Sequence, residues 1–135
     1  MTKNPPRTEP LPRREHQGFL RKALEYVDTS RKAMDDLRLN SAGLEAIHAV
    51  ISACDALTVA RLELRCRGED HRDVLQLLER IPDVRSTDLK KQVSQVLSAK
   101  SSVEYGGEGL SPEQAGRLVT QAERVVKWVS DRLRT

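Results

Sequence analysis

From Glu15 onward, apolar residues recur at intervals of three and four, the spacing that gathers them on one side of an α-helix. A first helix over 15–38 places Leu20, Leu24, Val27, Met34 and Leu37 on one stripe. Phe19, Ala23 and Ala33 widen that stripe, while Arg21, Lys22, Asp28, Arg31 and Asp35 face away. Asn40 or Ser41 offers an N-cap oxygen to a second helix running to about Arg67. Leu44, Ala46, Ile47, Val50, Ile51, Ala53, Cys54, Leu57 and Ala60 make this second helix apolar over much of its circumference, which predicts a central position.

Gly68 stops the second helix, and Asp70 caps a short third one with Val74, Leu77, Leu78 and Ile81 inward, ended by Pro82. Ser86 or Thr87 opens a fourth, which buries Leu89, Val93, Val96 and Leu97. After the Gly106-Gly107-Glu108-Gly109 break, Ser111-Pro112-Glu113-Gln114 carries a Ser N-cap, Pro at the first helical position and the Gln of a capping box. The final helix turns Ala115, Leu118, Val119, Ala122, Val125, Val126, Val129 and Leu133 inward. Strand alternation and hairpin turns are absent, so the pattern predicts an all-α fold: an up-and-down four-helix bundle with one additional short helix, over 15–135. Residues 1–14, MTKNPPRTEPLPRR, break the pattern with four prolines and a single other aliphatic, Leu11, and read as a disordered Pro/Arg-rich arm.

Composition narrows the class. At 135 residues, 38% hydrophobic and 32% charged, the chain is long enough to bury one core without metal or disulfide, and no cofactor or metal is called for. Apolar stretches fall short of the 18 or more residues of a membrane span and no signal-peptide core is visible, so the expectation is a cytoplasmic protein without a membrane partner. Cys54 and Cys66, twelve residues apart on one predicted helix, lie about 18 Å from each other and are expected as reduced thiols. The net charge of +3 resides in the first fourteen residues, with four basic against one acidic, which leaves the rest balanced. A nucleic-acid signal from charge therefore belongs to the arm or to nothing.

Two groups of residues bear chemistry. Glu45, His48, Ser52 and Asp55, at steps of three, four and three, share one face of the second helix, as a solvated stripe or an interface. Arg61, Arg65, Arg67, His71 and Arg72 form a basic cluster interleaved with Glu63, Glu69, Asp70 and Asp73. Within it, an Arg65 guanidinium holding a phosphate and a neutral His71 imidazole taking a ribose 2′-hydroxyl proton are the minimum for metal-independent RNA cleavage. The same charges also suit a helix C-terminus that favours cations and an N-terminus that favours anions. The four aromatic residues Phe19, Tyr26, Tyr105 and Trp128 are too scattered for a base-stacking platform.

The order of these features over about 17–133 resembles the HEPN domain family of prokaryotic helical-bundle domains. The resemblance rests on the Asn40-Ser41 opening, the run Ala46-Ile47-His48-Ala49-Val50-Ile51-Ser52-Ala53-Cys54-Asp55-Ala56-Leu57, the Asp70-His71 start, Lys100-Ser101-Ser102-Val103-Glu104-Tyr105, and the last helix with Trp128. It implies a helical module of toxin-antitoxin, nucleotidyltransferase-associated or defence loci. Nuclease members carry an Arg, four to six residues and a His, used across a dimer interface. Arg65 and His71 meet that spacing. In the family, however, the motif lies on the helix before the last, followed by a tyrosine; aligned on Tyr105, it falls on Ser98 and Val103. The expectation is a non-catalytic module, a homodimer or the partner of another helical protein, with Glu45, His48, Ser52 and Asp55 as interface. The alternative is a metal-independent endoribonuclease using Arg65 and His71 on RNA. A third reading, nucleotide binding, lacks a recognisable phosphate site.

Overall fold

The computed structural model describes residues 5–68, 70–85 and 87–134. Two short strands, β1 (Thr8–Pro10) and β2 (Leu64–Cys66), accompany the helices α1 (His16–Asp35), α2 (Leu39–Leu62), α3 (His71–Leu78), α4 (Pro82–Arg85), α5 (Leu89–Ser98), α6 (Lys100–Tyr105) and α7 (Pro112–Leu133). A 3-10 turn over Arg13–Glu15 leads into α1. Helix α2 is the axis: it packs against α1 and α7 and is touched by α3, α5 and α6. Its Ala46, Ile47, Ala49, Val50, Ala53, Ala56, Leu57 and Val59 are fully buried, as an all-round apolar helix requires. By length and composition α2 also matches a membrane span, contrary to the sequence expectation, but most of it is covered by the neighbouring helices.

Local signals decide most boundaries. The Ser111 hydroxyl accepts from Gln114 N at 3.1 Å and the Gln114 side chain accepts from Ser111 N at 2.9 Å, a complete capping box with Pro112 at N1. Asp70 caps α3 by accepting from Arg72 N at 2.9 Å. The N-cap of α5 is Asp88, which makes no side-chain cap bond, while the Thr87 hydroxyl one residue earlier accepts from Leu89 N at 3.3 Å; Ser86, the other residue expected there, lies outside the described residues. Asn40 does not cap α2. Its side chain instead accepts from Leu110 N at 2.8 Å, fastening the segment after the glycines to the start of the central helix. Gly43, one turn on, lets Leu110 lie close, since a Cβ there would stand 2.3 Å from Leu110 Cδ1.

Several expectations give way. Helix α2 ends at Leu62, not near Arg67, because Glu63 adopts a left-handed conformation (φ 55°, ψ 35°) with its N–H still bonded to Val59 O. The chain then extends as β2, which pairs antiparallel with β1 in the register Thr8↔Cys66, Glu9↔Arg65, Pro10↔Leu64. The segment expected to be a free arm is therefore strapped to the bundle over its described part, because main-chain pairing and polar contacts hold it where apolar burial does not. Cys66 sits on this strand and not on the helix of Cys54, and both thiols are free. Helix α1 stops at Asp35, so Leu37, predicted inward, has φ 58° and is 72% exposed. The predicted long fourth helix is broken at Ala99 into α5 and α6.

Candidate functional site

Helical spacing does put Glu45, His48, Ser52 and Asp55 on one face of α2, but that face has two different halves. At its outer half His48 is exposed and Glu45 half-buried. His48 Nε2 lies 3.9 Å from Glu104 Oε1 on α6, and the Tyr26 ring of α1 meets the imidazole edge-on, with centroids 6.1 Å apart. At the inner half Ser52 and Asp55 are each only 7% exposed. A continuous solvent-facing interface through all four residues is therefore not available in this structure, because neighbouring elements cover the second half.

Asp55 is covered by residues from three elements. Arg65 Nε of β2 donates to Asp55 Oδ2 at 3.4 Å, its NH1 donates to Glu9 Oε1 of β1 at 3.3 Å, and its guanidinium carbon stands 5.1 Å from the centroid of the Phe19 ring of α1. Burial pushes the Asp55 carboxyl up to about 6, against the pull of Arg65 in the opposite direction. The guanidinium, planar and with its donors in a fork, suits this three-sided setting better than a lysine does. Glu9 and Phe19 were missed as members of the group. Glu9 lies in a proline-rich stretch with no periodic signal, and Phe19 reads as one more apolar residue of α1.

His71 belongs to another place. It lines a shallow depression of about 230 Å³ with Asp70, Ser98, Lys100, Ser101, Glu104 and Tyr105, in which Arg65 takes no part. The sequence pair Arg65 and His71 is thus divided between two neighbourhoods, Arg65 with carboxylates and a ring, His71 with the α5–α6 junction. The other members of the basic cluster also have local partners: Arg61 NH2 donates to Arg132 O at 3.3 Å, Arg67 Nε lies 4.0 Å from Glu9 Oε2, and Arg72 is hydrogen-bonded to Asp70. The Arg72 side chain and N–H hold the Asp70 carboxyl down at about 2. Glu69 lies outside the described residues. Burial raises the Cys54 thiol far above its ordinary value, which makes it an unreactive core residue. Among the described residues, no group of three or more His, Cys, Asp or Glu could hold a metal ion.

At the positions where the family's nuclease motif aligns, the Ser98 hydroxyl donates to Ser94 O of its own helix at 2.6 Å, and Val103 packs against the hydrophobic core. A family model for the HEPN domain matches residues 16–132. The chain belongs to the HEPN domain family. The match spans α1 to nearly the end of α7 and leaves β1 outside the HEPN region. No curated protein matches the chain. As a HEPN domain it is a mostly helical module, and its small sheet joins a segment preceding the matched region to a strand within it.

Proposed function

We propose that this HEPN domain is a non-catalytic interaction module that associates with a second copy of itself, in a toxin-antitoxin or defence setting of the kind its family resemblance suggests. The surface is the outer half of the α2 face, Glu45 and His48, extended by Glu104 and by Tyr105, which is 82% exposed. The carrying observation is the engagement of Arg65 with Asp55, Glu9 and Phe19, which occupies the guanidinium that a nuclease site needs for phosphate. An exposed tyrosine beside a polar rim suits a protein interface, where aromatic anchors contribute most of the affinity.

The ribonuclease reading retains one observation in its favour, the sharing of a single depression by His71, Lys100 and Tyr105. Incubation of the purified chain with RNA in EDTA separates the two. No cleavage is expected; cleavage abolished by His71→Ala overturns the non-catalytic reading. Light scattering across a concentration series tests association, with a dimer expected at high micromolar concentration and a strict monomer rejecting the self-association step.

A further inference from the structure

The segment from Arg7 to Glu15 is fastened around the C-terminal end of α2. Arg67 N donates to Arg7 O at 2.8 Å and Leu11 N to Glu63 O at 3.1 Å, on either side of the three paired residues. Arg13 reaches over the helix end, its Nε donating to Ala60 O at 2.6 Å and its backbone N to Glu63 Oε2 at 3.2 Å. Glu9 adds its ion pair with Arg65. No residue from Arg7 to Glu15 is fully buried. A two-stranded ribbon this short has little stability of its own, and Pro10 and Pro12 carry no N–H to extend the pairing. The bundle core, in contrast, is built of side chains from α1, α2, α3, α4, α5 and α7.

We propose that Arg7–Glu15 is a detachable strap, which leaves the α2 end as a unit while the bundle stays folded and frees Arg65 from Glu9, with Arg65 still bonded to Asp55. The groups facing Asp55 are Arg65 from β2, Glu9 from β1 and Lys22 from α1, with the thiols of Cys54 and Cys66 close by. Closure sets the Glu9 carboxylate against the Asp55–Arg65 pair, where it shares the guanidinium and repels a second negative charge, so the closed strap holds an Asp55 proton more tightly than the open one. Acid therefore favours closure, and opening becomes easier as pH rises.

The register supplies the test. Thr8 stands directly opposite Cys66, so the single substitution Thr8→Cys in the full chain places a thiol across from a native one, at the spacing of a cross-strand pair that a disulfide can bridge. In the unmodified chain, hydrogen exchange at Leu11 and Arg67 is expected to run at least ~100-fold faster than at Val125 in α7. Oxidised Thr8→Cys slows the two strap amides at least ~10-fold against its reduced form, and Glu9→Ala speeds them without changing Val125. Equal protection of Leu11, Arg67 and Val125 in the unmodified chain overturns the strap. So does failure of the bridge to form in a normally folded variant, because the closed register is then wrong.

Discussion

Arg65 Nε stands 3.4 Å from Asp55 Oδ2, and this contact joins the strand after the central helix to a buried carboxylate within it. Removing the guanidinium leaves the carboxylate covered and without its cation, the costly half of breaking such a pair. Arg65→Ala is expected to lower stability by about 2–3 kcal/mol, below the usual range for fully buried pairs because Arg65 is half exposed. Urea unfolding checks this. A double-mutant cycle with Asp55→Asn should recover much of the loss, because the amide carries no charge to strand.

The same carboxyl sets a pH dependence. Its folded value, about 6, lies above the ordinary 3.8, so the folded chain binds the proton more tightly than the unfolded one. The stabilisation is full below about pH 4 and is lost as pH rises through 6. The loss is at most about 3 kcal/mol. Urea midpoints of the unmodified chain should fall relative to those of Asp55→Asn across this window and run parallel above it. Parallel curves throughout contradict the raised value.

The association surface makes a charge prediction. His48 faces Glu104 at 3.9 Å, and His48→Glu places two carboxylates together at the centre of the proposed interface. The variant is expected to dissociate at least ~10-fold more readily while unfolding within about 0.5 kcal/mol of the unmodified chain, as exposed substitutions do. Sedimentation equilibrium and thermal melts read the two effects separately.

At the start of α7, Ser111→Ala removes the hydroxyl that accepts from Gln114 N. About 1 kcal/mol of stability should be lost, and Ser111→Gly should lose only a few tenths. Calorimetry of the three chains tests the order, which follows from the cap alone.

The cap at Ser111 and the one at Asp70 were legible because each is local, a polar side chain and the next turn of backbone. So was the centrality of α2, since a helix apolar on every side has to be covered. The covering itself was not legible. Periodicity placed Ser52 and Asp55 beside Glu45 and His48, but which strand lies over a helix face is a fact of long-range pairing. Thr8–Pro10 carries no alternation that announces a strand, and Glu63 bends the chain in a conformation for which the sequence shows no glycine. The divergence of Arg65 and His71 has the same origin: their spacing presumed a helix that had already ended at Leu62.

Pairing β1 with β2 closes a loop of more than fifty residues for the return of three paired positions. Loop-closure entropy makes such a contact a poor nucleus. Helices α1 and α2 have to pack first and bring the two strands into reach. On the ribosome, residues 8–10 emerge well before 64–66, so the growing chain carries an unpaired strand until its partner appears. The ribbon is thus among the late products of folding, and the order in which the protein assembles runs against the order in which it is written.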